Sequence, residues 1–326
     1  MKTINYILVA VAFATMSALT SCQKDPASNP DYSSTLDAQG ERGVGALPGK
    51  FSVSPDRMVR FSQGNLQYCV NIDSHLVVGN QMVSGSWRFA ANQYDYIGYR
   101  NVNSDSTLAG ITDLFGWATS GWSAGNYESS PRSISVYSES YAPSHDHEVN
   151  LTGDNVYGDW GQFNAISNGG DAPGLWRTLS QQEWIYIFHQ RENTRINGIP
   201  NIRFAKGQVH NVNGLLLFPN EYRHPNRVAL PVEINMMDGN FSKNHYTGAD
   251  WDSLQAAGVV FLPAAGMRYG TTVSKVQTYG NYWSSTACNK NNAYYIYFLA
   301  GAFDPASFGY RCNGRSVRLV QDVKVK

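Results

Sequence analysis

Gly280-Asn281-Tyr282-Trp283-Ser284-Ser285-Thr286 and Gly314-Arg315-Ser316-Val317-Arg318-Leu319-Val320 bracket the C-terminal part of this chain. Between them runs Ala293-Tyr294-Tyr295-Ile296-Tyr297-Phe298-Leu299. That middle run is dense in aromatic and β-branched residues, which favour a pleated strand. Side chains alternate along a strand, so Tyr294, Ile296 and Phe298 share one face and Tyr295, Tyr297 and Leu299 the other. Residues 300–313 hold Gly, Pro and Asn at short intervals and predict a loop. Ser316 to Val320 alternates again, with Val317 and Leu319 inward and Arg318 outward. The local expectation is a hairpin with one large, aromatic-loaded loop.

The 326 residues carry 25 basic and 25 acidic side chains, a balance that gives no reason to expect nucleic acid or an anionic membrane surface as partner. Charged residues are only 15%, aromatics are 13%, and there are 20 Tyr and 30 Gly, a composition that suits a loop-rich β or α+β protein with a substantial core.

The N-terminus has the form of a targeting signal. Lys2 precedes a short apolar core, Ile7 to Ala18, and Leu19-Thr20-Ser21-Cys22 fits a lipoprotein processing site. The apolar run is short for a membrane span. On this reading residues 1–21 are a signal peptide, Cys22 is lipidated, residues 22–50 are a polar linker and residues 51–326 are the folded domain. Multiple acyl chains make such an anchor stable. Cys22-Gln23-Lys24-Asp25 resembles the acidic tags that send lipoproteins to the outer face of the outer membrane. The cell envelope permits disulfides, and Cys288 and Cys312 are placed to bridge the two ends of the aromatic loop, with Cys69 left over.

Further upstream, short β-like runs are expected at residues 51–53, 58–61, 66–70, 87–89 and 94–99. Trp117, Trp122, Trp160 and Phe163 are expected to pin the irregular stretch 100–175. Ser180-Gln181-Gln182-Glu183 is a capping box, and Trp184, Ile187 and Phe188 give the helix behind it a buried stripe. Residues 202–205 and 215–218 predict strands. Residues 249–257 predict a second helix, with Trp251 and Leu254 inward and Gly258 as its stop, followed by a strand at 259–262.

Asn281 to Thr286, the Asn-rich loop after it and the terminal Gly-x-Ser-Val-Arg-Leu-Val together resemble the end of C-type-lectin-fold domains of Bacteroidota surface lipoproteins. Some of those are variable targets of diversity-generating retroelements. Residues 61–68, 113–117 and 176–180 fit the same group, so the resemblance spans about residues 51 to 320. It implies an α+β fold of short twisted antiparallel sheets, two helices and long irregular loops, with the N- and C-terminal strands close together. It also implies a variable set at Tyr295, Tyr297, Leu299, Ala302, Asp304, Ser307, Phe308, Gly309, Tyr310 and Cys312. Every one of these is reachable from an asparagine codon by changes at its adenines, whereas Lys290 is not. The expected ligand is a protein or glycan on a cell or phage surface, and the membrane is met only through the lipid anchor. Two alternatives stand beside this: a structural component of a surface assembly, and an envelope enzyme related to the formylglycine-generating branch of the fold.

Enzyme chemistry has little support in the residues. Gly121-Trp122-Ser123-Ala124-Gly125 matches a nucleophile elbow, but that motif needs a buried strand before it and a helix after it, and the flanking residues suit neither. The formylglycine-generating relatives pair two cysteines near the domain end, whereas Cys288 and Cys312 are far apart in sequence. His145-Asp146-His147-Glu148 offers ligand types in a row without an identifiable partner set for zinc. The Glu-Pro-Asn, Gln-Pro-Asp and Trp-Asn-Asp motifs of calcium-dependent sugar-binding lectins do not occur. No cofactor is expected, although acidic loop residues can bind a calcium ion structurally.

Overall fold

The computed structural model describes residues 42–70, 85–101, 110–124, 127–128, 149–270 and 272–323. The signal segment, Cys22 and His145 to Glu148 lie outside them. In chain order the described strands are β1 (Phe51–Ser52), β2 (Met58–Phe61), β3 (Leu66–Val70), β4 (Gly85–Phe89), β5 (Gly110–Thr112), β6 (Ser123–Ala124) and β7 (Tyr127–Glu128). Then follow β8 (Phe204–Val209), β9 (Val212–Leu217), β10 (His245–Tyr246), β11 (Val260–Pro263), β12 (Met267–Tyr269) and β13 (Thr272–Ser274). The last four are β14 (Gly280–Ala287), β15 (Asn292–Leu299), β16 (Ala302–Tyr310) and β17 (Val320–Asp322). The α-helices are α1 (Trp160–Phe163), α2 (Gln181–Ile185) and α3 (Ala249–Ala256). The chain is thus α+β, built of small, almost wholly antiparallel sheets, with one short helix more among the described residues than the sequence suggests.

The chain closes on itself at β17, which pairs antiparallel with β2 in the sheet β1-β2-β17. Packing begins upstream of Phe51, because Ala46 and Leu47 are fully buried and Leu47 N–H donates to Phe61 O. Val317 and Leu319 are fully buried, as expected. Arg318, expected outward, is also buried, and its guanidinium donates to Asn65 Oδ1 and Gln93 Oε1. Residues 317–319 lie outside any ladder, so strict alternation does not govern them. The strand expected at 94–99 is absent as well: a single turn of 3₁₀-helix, Gly98–Arg100, stands there.

Helix α2 forms as its capping box prescribes. Ser180 Oγ accepts from Glu183 N–H, and the Glu183 carboxylate accepts from Ser180 N–H. A π-turn, Tyr186–Gln190, continues the helix and carries Ile187 and Phe188 into the largest core. There they meet Trp184, Phe204, Phe298 and Phe303. Arg177 ties this helix to the chain end, reaching Glu183 at 2.8 Å and Asp322 at 2.8 Å. A second core gathers Trp117, Trp160, Trp176 and Trp283, and a third packs α3 against β9 and β11 through Trp251, Leu254 and Phe261. Of the four side chains expected to pin residues 100–175, Trp117 and Trp160 are fully buried, while Trp122 and Phe163 are only partly buried. The strands foreseen near 202–205 and 215–218 are longer and form one hairpin, β8-β9. His210 and Asn211 both take positive φ, 48° and 63°, at its two-residue turn, the conformation that suits strand twist.

Candidate functional site

The sheet β14-β15-β16 carries the sequence-selected positions. It replaces the expected large loop. Residues 302–310 form a nine-residue strand, and the connection is the two-residue turn Ala300-Gly301 with Gly301 at φ 81°. Pro305, which reads as a strand breaker, sits where the register slips between Tyr295 and Tyr297. A bulge leaves one residue outside the ladder, so a missing N–H costs little there.

Register assigns each position to a face, because directly opposed residues project to the same side. Tyr295 opposes Ser307, Tyr297 opposes Asp304 and Leu299 opposes Ala302. Ala293 opposes Gly309 on that same side. Tyr294 opposes Phe308, and Asn292 opposes Tyr310, on the other side. The ten positions therefore do not share one face. Seven lie with Tyr297, two lie with Tyr294, and Cys312 lies beyond the strand and is 4% exposed. Cys312 is thus a buried residue rather than a contact position.

The Tyr297 face is exposed at one end and packed at the other. Asp304 is exposed, and Tyr297, Leu299 and Ala302 are half-buried. Tyr297 stands edge-on to Tyr279 at 5.3 Å, and burial together with that neighbour pushes its phenol up to about 12. Tyr295 instead packs edge-on to Trp283 at 5.7 Å. The Arg315 guanidinium lies 3.9 Å from the Tyr295 ring and 4.3 Å from Trp283. Arg315 Nη1 also donates to Tyr310 O at 3.2 Å. A Cβ on Gly309 would stand 2.6 Å from Arg315 Nη2, so a side chain there displaces the arginine.

The opposite face is core at Ile296, Phe298 and Phe303, and uncovered beyond them. There Phe308 is 58% exposed and Tyr310 55%. Tyr294 leans edge-on to Phe308 at 6.2 Å. Sequence reasoning missed Tyr294 as a neighbour of Phe308, because cross-strand pairing is not visible in the order of residues. Arg311 supports this end from below, stacked on Trp117 at 4.5 Å and donating to the carbonyls of Asn289 and Asn292.

No family model, no curated protein and no solved structure matches this chain. Cys69, Cys288 and Cys312 stay as thiols, so the expected Cys288–Cys312 bridge is not formed. Ser123 lies on β6, paired with the adjacent β7, which is a hairpin rather than a strand-to-helix elbow. No group of three or more metal-ligating side chains gathers among the described residues.

Proposed function

We propose that this chain is a surface-anchored recognition lipoprotein with a C-type-lectin-like domain, and that the sheet β14-β15-β16 bears its ligand-binding surface. The supporting observation is the placement of exposed aromatic side chains on β16 over a base of stacked arginines. Phe308 and Tyr310 point to solvent, while Arg315 and Arg311, stacked on Trp283 and Trp117, hold the strand from beneath. Tyrosine offers large contact area at low entropic cost, and clustered exposed aromatics mark interaction surfaces. The ligand class is a protein or glycan on a cell or phage surface, and the anchor through Cys22 places the domain outside the outer membrane.

Diversification of this surface is part of the proposal, restricted by the geometry. Asp304, Phe308 and Tyr310 are exposed and Tyr297, Leu299, Ala302 and Ser307 half-buried, whereas Tyr295 packs on Trp283 and Arg315, a side chain at Gly309 would meet Arg315, and Cys312 is buried. The test is a glycan and cell-surface protein array probed with the full chain, then repeated with Tyr297→Ala, Phe308→Ala and Tyr310→Ala. Loss of a captured ligand with an unchanged melting temperature supports the reading. Retention of full binding by all three variants refutes it. A reverse transcriptase gene beside a near-repeat of the codons for residues 281–320 would establish the diversification.

A further inference from the structure

Arg315 is a buried cation that no carboxylate faces among the described residues. The residue is 2% exposed, and burial holds its guanidinium below the usual arginine pKa. The groups that face it are the phenols of Tyr295 and Tyr269 and the Cys312 thiol. Asp304, the carboxylate on the same side of the sheet, opposes Tyr297 and accepts the Ala306 N–H instead.

Buried charges are ordinarily paired with an opposite charge. The Trp283 and Tyr295 rings, 4.3 Å and 3.9 Å from the guanidinium, offset part of the cost of burial. Ring faces act on the flat sides of a guanidinium and give its in-plane N–H groups no acceptor. Of those groups, Nη1 donates to Tyr310 O at 3.2 Å. Nε has no hydrogen-bond partner among the described residues. Nη2 lies 2.6 Å from the point where a Cβ on Gly309 would stand, so only the absence of a side chain at 309 leaves room for it. Nε and Nη2 together form an edge of two parallel N–H groups, the arrangement that grips both oxygens of a carboxylate.

We propose that this edge of Arg315 binds a glutamate side chain of a protein ligand. The proposal rests on the reading of this sheet as the recognition surface and names the group recognised. Tyr269 is 49% exposed, and Gly309 and Tyr295 are half-buried, so the way in runs among these three. Exposed side chains change rotamer within nanoseconds, so Tyr269 yields to an entering group. A recessed fork selects a carboxylate on a narrow, flexible stem. The methylenes of glutamate lie along the tyrosine rings while its oxygens take the Nε and Nη2 hydrogens. An acidic sugar carries its carboxylate directly on the ring, so the whole ring would have to enter. Away from bulk water the charge pair is also stronger than on an open surface.

The test follows the Arg315 Nε–H resonance of the full, nitrogen-15-labelled chain as N-acetylglutamate N-methylamide is added at fixed ionic strength. A saturable shift is expected. The neutral glutamine analogue should bind about tenfold or more weakly. Gly309→Ser, whose side chain takes the place of Nη2, should weaken the glutamate probe by a similar factor, and the glutamine comparison decides the matter if that variant does not fold. Absence of a saturable shift, or equal binding of the glutamate and glutamine probes, overturns the proposal. Methyl glucuronide binding as tightly as the glutamate probe would make an acidic sugar the occupant and overturns it too. If glutamate leaves the resonance unmoved while Phe308→Ala still abolishes capture of an arrayed ligand, the recognition surface stands and the carboxylate subsite falls.

Discussion

The guanidinium of Arg315 lies 3.9 Å from the centre of the Tyr295 ring. Sequence alternation places Tyr295 among outward residues, yet this contact makes it part of the support for the sheet. Desolvated cation–π pairs contribute about 2 kcal/mol, and arginine stacks where lysine does not. Tyr295→Ala and Arg315→Lys are therefore each expected to lower the melting temperature by several degrees, with Tyr295→Phe close to neutral. Thermal scans of the three variants check this. Equal melting of Tyr295→Ala and wild type would show that the stack carries no stability.

Phe308 and Tyr310 are expected to behave oppositely. Their rings are more than half exposed, and exposed substitutions away from special features stay within about 0.5 kcal/mol. Phe308→Ala and Tyr310→Ala should unfold in urea at the wild-type midpoint. A midpoint loss as large as that of Tyr295→Ala would make this face core rather than surface.

The chain terminus should be indispensable. Leu319 is fully buried in the tryptophan-rich core, and β17 supplies the neighbour of β2. Leu319→Ala is expected to cost about 2–5 kcal/mol, the usual range for a buried leucine truncated to alanine. Deleting residues 316–326 should abolish cooperative unfolding by circular dichroism. A truncated chain that melts like the intact one would contradict the topology.

Asp113 gives a pH signature. Burial pushes its carboxyl up to about 6, against backbone hydrogen bonding from Ile97, and its Oδ1 has no hydrogen-bond partner among the described residues. An unfolded aspartate titrates near 3.9. Between these values the native chain holds the extra proton, so this group's contribution to stability falls as pH rises from about 4 to about 6 and is level above. Relative to Asp113→Asn, the wild type should lose stability across that window in urea titrations. A constant difference between the two at pH 4, 5, 6 and 7 would show that Asp113 does not titrate there.

The proposed lipid anchor at Cys22 has a signature of its own. Cys22→Ala should move the protein from the membrane fraction to the soluble envelope fraction. Persistence with membranes after a high-salt wash would dismiss the lipid anchor.

What the sequence determined by itself is what local chemistry decides. The Ser180/Glu183 capping box, the Trp184, Ile187 and Phe188 stripe, the Gly258 stop at φ 89° and the strand character of β15 all lie within a few residues of their cause. The α+β class followed from the same signals. The tertiary structure alone decided the rest, because pairing partners are distant in the chain. Residues 302–310 contain punctuation that spells a loop, yet β15 zips them into a strand and a bulge absorbs Pro305. Arg318 reads as an outward charge, yet Asn65, 253 residues away, and Gln93 satisfy it inside. Register then divides nine of the ten selected positions between two faces, and Cys312, beyond the strand, is buried. A linear pattern fixes the period of a strand, but only its neighbour's position fixes which residues meet solvent.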